Sequence, residues 1–406
     1  MAPPPSITGL SVVLTATCNL RCAYCYQNAK QPARMSWETL KAALGLLSGA
    51  QGPEVRLLFT GGEPLLEFGL LRRAVDHVEA VLRPRAQVRY EIVTNGTRLD
   101  DERAAFLAGH HFSTQLGFDG VPAAQDLRGP GTFAALDARL DELRTTHRAW
   151  FRDDVSVSIT IVPRTIPYLA DSVDYLLSKG VGEIAIAPAL THEPGWCDEM
   201  RAELHRQFAR IYRASLDRYR RTRDVPVVLF RKGMTRTRRR ARPLPMCPVA
   251  DRRHLVVDVD GQAYGCVAFA ESYQRFPTQM LRDRMAKLRL GDVRSPDLAE
   301  RLATYQEAAR TTDILTAKEA KHSSYGRCAD CRFLASCAIC PVSIGHVPGN
   351  DDPRRVPDFP CAFTRIAHGF RARFPRQPTV ADLAHGRVNP PAAIRRLLAA
   401  HTTAQR

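Results

Sequence analysis

From residue 8 to about 190, short runs rich in β-branched residues alternate with longer amphipathic stretches, the pattern of βα units around a parallel sheet. The strand candidates are Gly9–Leu14, Val55–Phe59, Arg89–Val93, Ser113–Phe118, Val155–Val162 and Glu183–Ala187. Between the first two, Ser36 is placed to cap a helix whose Leu40, Ala43, Leu44 and Leu47 share one face. Further helices are expected over Glu67–Leu82, Asp101–Ala108, Phe133–Arg148 and Pro167–Ser178. Six strands are too few to close an eight-stranded barrel, so the predicted fold is α/β, a (β/α)6 partial TIM barrel.

Polar and glycine-rich segments fall at the C-terminal ends of these strands, the rim where barrels keep their chemistry. Strand one is followed by Cys18-Asn-Leu-Arg-Cys22-Ala-Tyr24-Cys25, and strand two by Thr60-Gly61-Gly62-Glu63-Pro64. Thr94-Asn95-Gly96 follows strand three and Asp119-Gly120 follows strand four. Three thiolates spaced x3 and x2 can hold three irons of a 4Fe-4S cube and leave the fourth iron open. Structural zinc wants four ligands, usually as paired C-x2-C units, and this loop supplies three.

Composition sets the surroundings of that chemistry. The 406 residues are 45% hydrophobic, enough for two or three domains. No charge precedes the apolar stretch from Gly9 to Ala16, and Cys18, Arg21 and Cys22 follow it at once, so no secretory signal is expected. No run of ~18 apolar residues offers a membrane span. The odd count of 11 cysteines argues against a disulfide framework, and the expected setting is cytoplasmic, where thiolates stay reduced. Lys and Arg total 58 against 42 Asp and Glu. Much of that excess is local: Arg218, Arg220, Arg221, Arg223, Arg231, Lys232, Arg236, Arg238, Arg239, Arg240 and Arg242 face one acid, Asp224. Such a patch suits an acidic peptide or a nucleic acid, and equally a solvated linker.

A second cysteine-rich region begins at Cys247. Between it and Cys266 the chain alternates in strand fashion about Asp260-Gly261, a hairpin signal. Cys328-x2-Cys331-x5-Cys337-x2-Cys340 and a separate Cys361 follow. Seven cysteines here are too many for packing alone. The two C-x2-C knuckles stand five residues apart, whereas zinc ribbons usually separate them by about 15 to 20.

The first constellation resembles the radical SAM superfamily, whose C-x3-C-x2-C loop carries an aromatic just before the last cysteine. The resemblance implies that Cys18, Cys22 and Cys25 hold a catalytic 4Fe-4S cluster, with Tyr24 as that aromatic. It implies that S-adenosylmethionine chelates the open iron and is cleaved reductively, giving a 5′-deoxyadenosyl radical that takes hydrogen from the substrate. Gly61, Gly62, Glu63 and Pro64 are similar to the family's GGEP motif, whose backbone meets the methionyl amine. Thr94, Asn95, Asp119 and Arg128 resemble segments near the ribose and the methionyl carboxylate.

The second constellation resembles the SPASM extension of these enzymes. Gly261 to Cys266 matches its G-x4-C, whereas Cys337-x2-Cys340 is one residue shorter than the usual spacing. The resemblance implies an outer auxiliary 4Fe-4S cluster on Cys328, Cys331, Cys337 and Cys361, and an inner one on Cys247, Cys266 and Cys340. The inner cluster then lacks a fourth cysteine; either an iron stays open or Cys197 closes it, and Cys197 reads better as a spare buried thiol. The expected organisation is a radical SAM partial barrel over 1–195 and a basic helical linker over 196–246. An auxiliary iron-sulfur domain over 247–365 and a helical tail over 366–406 complete it.

The resemblance implies an enzyme that modifies a precursor peptide by crosslinking, thioether formation, epimerisation or oxidation, fed by a reductant such as a flavodoxin or ferredoxin. Sulfatase maturation is disfavoured, because relatives with that role carry Asp directly after the G-x4-C cysteine and this chain has Val267. Leader recognition falls to the catalytic surface, the basic segment or a separate leader-binding protein. A dehydrogenase or epimerase of a small metabolite is the second reading. A noncatalytic metal-bound protein that holds nucleic acid through the Arg patch is the third and least favoured.

Overall fold

The computed structural model describes residues 7–29, 31–49, 54–81, 86–192, 194–232, 253–273, 279–286, 288–307, 318–337, 340–345, 347–348, 350 and 352–377. Six strands, β1 (Gly9–Thr15), β2 (Glu54–Gly61), β3 (Gln87–Thr94), β4 (Ser113–Gly117), β5 (Val155–Ile161) and β6 (Ile184–Pro188), pair in chain order. Every neighbour is parallel. The helices between them are α1 (Trp37–Gly45), α2 (Phe68–Val81), α3 (Asp101–Gly109), α4 (Pro122–Gln125), α5 (Thr132–Thr146), α6 (Arg148–Asp153) and α7 (Leu169–Ser178). All six expected strands are present, with no end moved by more than two residues. The α/β partial barrel is therefore the observed architecture.

Local chemistry accounts for these elements. The Ser36 hydroxyl accepts from the Thr39 amide at 3.1 Å and caps α1, whose Leu40, Ala43 and Leu44 are buried. In β5 the alternation is complete: Val155, Val157, Ile159 and Ile161 are buried, while Ser156, Ser158 and Thr160 stand half-exposed on the other face. β4 repeats it, burying Thr114 and Leu116 and exposing Ser113 and Gln115. In these two strands one face thus packs on the helices, and the other is polar and reachable.

Beyond the sixth strand the chain does not leave the core. Helix α8 (Asp198–Thr222) buries Leu204, Phe208, Ile211 and Tyr219. It packs on α7 and on the late helix that the structure places over Asp358–Arg373, with Phe208 and Phe363 rings 5.5 Å apart. Part of the basic run is bound into this packing: Arg231 pairs with Glu183 at 2.5 Å, and the Lys232 ammonium donates to the Ala372 carbonyl at 2.8 Å. Arg236, Arg238, Arg239, Arg240 and Arg242 lie outside the described residues.

The second region extends the same sheet. Strand β7 (His254–Val257) pairs parallel to β1, from Gly9 opposite His254 to Val12 opposite Val257. β8 (Gln262–Tyr264) and β9 (Arg289–Asp292) follow antiparallel. The hairpin expected at Asp260-Gly261 is present, with Gly261 at φ 94°, a conformation that favours glycine. After α9 (Gln279–Ala286) and α10 (Leu298–Glu307) comes a short pair, β10 (His322–Ser323) and β11 (Gly326–Arg327), then α11 (Pro341–Gly345) and α12 (Asp358–Arg373). One hydrophobic core runs from Ile7 through Val257 to Phe374. No helix among the described residues is long and apolar enough to cross a membrane.

Candidate functional site

The cysteine loop leaves the C-terminal end of β1 and folds over the rim. Cys18, Cys22 and Cys25 are partly exposed. The Leu20 amide points at the Cys18 sulfur at 3.4 Å, and the Cys25 amide closes a turn on the Cys22 carbonyl at 3.1 Å. The loop is fastened at two points by buried carboxylates from neighbouring strands.

Glu63 is the first fastening. It is fully buried, and its carboxylate accepts from the Leu65 amide at 3.0 Å, the Thr94 hydroxyl at 2.7 Å and the Asn95 amide at 2.8 Å. Burial pushes its pKa up, and these three donors work in the opposite direction. Glu63 therefore ties the turn after β2 to the turn after β3. Asn95 carries the link onward, donating to Asn19 of the cysteine loop at 3.0 Å and lying 3.8 Å from the Cys18 sulfur. Gly61 and Gly62 matter here through what they lack. A Cβ on Gly62 would stand 2.2 Å from the Thr17 oxygen and 2.8 Å from the Cys18 nitrogen. Their small size lets the turn press directly against the start of the cysteine loop.

Asp119 is the second. Its carboxylate, almost wholly buried, pairs with the Arg128 guanidinium at 2.8 Å, accepts from the Thr160 amide at 2.9 Å and accepts from the Tyr24 hydroxyl. Burial pushes the Tyr24 pKa up, with the Arg128 charge opposing and Asp119 adding to the rise. For Arg128, burial works against its charge, and Asp119 outweighs it so that the pKa lies above the ordinary value. Gly117 makes the room: a Cβ there would meet the Arg128 guanidinium at 2.5 Å. Tyr24, Asp119 and Arg128, named separately from the sequence, are one buried network.

The later cysteines fall into two groups. Cys328, Cys337 and Cys361 pack around Ile344 and Val356, and Cys361 donates to the Ser323 hydroxyl at 3.3 Å. Burial pushes the Cys328 thiol up to about 11, with added repulsion from Cys361, Cys337 and Cys331. Cys266 and Cys340 pack instead with Tyr264, Tyr273 and Tyr26. Cys247 lies outside the described residues. Cys197 is exposed at the N-cap of α8, in place of the buried position expected for it, because the helix begins at the surface there.

Among the described residues no three His, Cys, Asp or Glu side chains converge on one ion position. A tetrahedral zinc requires such convergence. A cube places each cysteine on a separate iron, so spread thiols in groups of three and four fit it. The residue that sequence reasoning passed over is Tyr26. It follows Cys25 directly, packs with Cys266 and Cys340, and sets its ring tilted against that of Tyr273, with centroids 5.9 Å apart. Its only signal in the sequence was adjacency to Cys25.

Residues 12–176 match the Radical SAM superfamily. A GTP 3′,8-cyclase of Mycobacterium ulcerans is 36% identical over 143 residues, 33% of this chain and 35% of that enzyme. The chain spans 60% or less of the length of the first curated relatives it matches. Among solved structures, anSMEcpe with bound AdoMet and Cp18Cys peptide superposes with a TM-score of 0.66 at 17% identity, covering 91% of this chain and 98% of that one. Streptococcus suis SuiB bound to precursor peptide SuiA gives 0.53 at 13% identity, covering 88% and 76%. The shared fold extends through the cysteine-rich region, and the segment that bears the cysteine loop and both of its buried fastenings is a domain of the Radical SAM superfamily.

Proposed function

We propose that this protein is a radical SAM enzyme of the SPASM type that modifies a ribosomally made peptide. The observation that carries the reading is the rim itself: a three-thiol loop tied by Glu63 and Asp119 beside a polar, reachable sheet face. Cys18, Cys22 and Cys25 would hold the catalytic 4Fe-4S cluster, Cys328, Cys331, Cys337 and Cys361 an outer auxiliary cluster, and Cys247, Cys266 and Cys340 an inner one. When bound, the catalytic cluster and S-adenosylmethionine supply a one-electron cleavage that yields a hydrogen-abstracting carbon radical.

The chain's own residues orient and exclude. Glu63 and Asn95 hold the cysteine loop against the turn that carries Gly61, Gly62 and Pro64, and Thr94 anchors that turn. Tyr24 and Arg128 use Asp119 to fix the loop's other end. Ser156, Ser158, Thr160 and Gln115 give the concave face hydrogen-bonding groups that suit a peptide backbone. The peptide reading draws support from the folds of anSMEcpe and SuiB, each solved with a peptide bound. The cyclase likeness covers only the barrel third of the chain and leaves small-molecule chemistry as the second reading.

The test is anaerobic reconstitution with iron and sulfide counting, followed by 5′-deoxyadenosine assay with and without a candidate precursor peptide. Peptide-stimulated cleavage is the expected result. Cys18→Ala should reduce cleavage to background, while Cys331→Ala or Cys340→Ala should retain part of it and stop product formation. Zinc in place of iron, or an intact cosubstrate under strong reductant, overturns the reading.

A further inference from the structure

A cavity of about 420 Å³ opens beside Cys331, between α8, α12 and the turn over residues 330–333. Cys331 forms part of its wall together with His205, Arg332, Arg365 and Arg373, and Asp330 is the one carboxylate there. Arg365 and Arg373 stand two turns apart on α12, so both guanidiniums project from one side of the helix. Arg332, Arg365 and Arg373 are exposed. They lie over the rings of Phe333 at 4.7 Å, Tyr325 at 5.8 Å and Phe370 at 5.7 Å. Asp330 leans instead toward Arg327, 3.9 Å away. The lining of the cavity therefore carries three arginines against one carboxylate, an excess of positive charge.

Positive charge of this kind draws a partner whose surface is acidic, and it acts chiefly on encounter rate and salt dependence. The thiol in the wall narrows the choice further. An acidic leader segment would feel the same field but would gain nothing from Cys331, whereas a redox protein needs its own centre close to the iron it serves. Electron-transfer encounters are also small, below about 1,200 Å², so a few charges can govern them.

We propose that this cavity and its arginine rim dock a small acidic electron carrier of the ferredoxin class, which exchanges one electron with iron held by Cys328, Cys331, Cys337 and Cys361. The assignment rests on the iron-sulfur reading of those cysteines given above. In the exchange the reduced carrier loses one electron and the quartet's iron gains it; no bond is made or broken and no proton moves.

The experiment uses the reconstituted full-length enzyme, an acidic ferredoxin and the charge reversals Arg373→Glu and Arg332→Glu/Arg373→Glu, with Arg144→Glu on α5 as a control. Ferredoxin affinity should fall about tenfold or more in the double variant and lose much of its salt dependence. Iron content and dithionite-driven cosubstrate cleavage should stay at the wild-type level. Arg373→Glu alone, at the opposite end of α12 from Cys361, should show the same trend with unchanged iron. Equal ferredoxin affinity in all variants overturns the docking surface, as does an equal loss with Arg144→Glu. Weakened binding of the precursor peptide with ferredoxin binding intact assigns the rim to the substrate and also overturns it. Absent dithionite-driven cleavage in the wild type is a different failure, that of the underlying function.

Discussion

Asp119 concentrates more consequence than any other side chain at the rim, because it is the buried counter-charge of Arg128 and the acceptor for Tyr24. Asp119→Asn leaves a guanidinium that is 11% exposed without its carboxylate, and the expected loss is about 3–5 kcal/mol of unfolding free energy. Tyr24→Phe removes one donor and leaves the ion pair, so about 1–2 kcal/mol is expected. Anaerobic urea titrations check both, and equal losses would refute the ranking. A second residue sets a pH dependence. Burial, reinforced by Arg371 and Lys318, lowers the His368 pKa to about 4, against about 6.5 for the unfolded imidazole. Between those values the unfolded chain binds a proton that the folded chain does not. Stability therefore rises with pH across the window and is lost as pH falls through it. His368→Gln should flatten that slope in unfolding midpoints measured on either side of the window. At this scale the cysteines were legible because their spacing is local. The Tyr24–Asp119 bond was not, since it joins positions 95 residues apart.

At the scale of the element, the contact between the β2 turn and the cysteine loop is the point of least tolerance. Gly62→Ala puts a methyl 2.2 Å from the Thr17 oxygen, a clash with backbone that no rotamer can relieve. Overpacking of this kind costs about 1–3 kcal/mol, and here it would be taken up by displacing the segment that carries Cys18. The expected outcome is unchanged helix and strand content by circular dichroism, with iron retention after desalting reduced several-fold. Full iron retention would show that the loop has slack. Gly45→Ala in α1, where an added Cβ meets nothing, is the matched control. The strands and their order were legible because β-branched runs and amphipathic stretches alternate within windows of a few residues. What the glycines press against was not legible, because the motif's likeness pointed to the cosubstrate while the Cβ positions point to Thr15 and Thr17.

For the whole molecule, the decisive feature is that the second cysteine region is built onto the barrel sheet. β7 pairs with β1 through four residues, Ser11 and His254 meet at 2.7 Å, and Gly9 yields space to the His254 ring, 2.3 Å from where its Cβ would be. The His254-Leu-Val-Val pattern announces a strand but not a partner 245 residues earlier, since strand periodicity encodes which face is apolar and nothing about the neighbour. On the opposite side α12 closes over α8, and Phe363, 7% exposed, packs its ring on Phe208. Barrel and cysteine region thus share one core, and a cavity opened in one must weaken both. Phe363→Ala should cost about 3–5 kcal/mol. That loss should appear together in far-ultraviolet circular dichroism, dominated by the barrel, and in the fluorescence of Trp196, which lies 5.1 Å from Phe359 at the junction. With Trp37 and Trp150 replaced by Phe to isolate that reporter, both probes should shift to the same lower midpoint. A barrel transition that stays in place while the Trp196 signal moves would mean that the two regions unfold separately, and the shared core would then not be what holds the later cysteines against the rim that bears the cysteine loop.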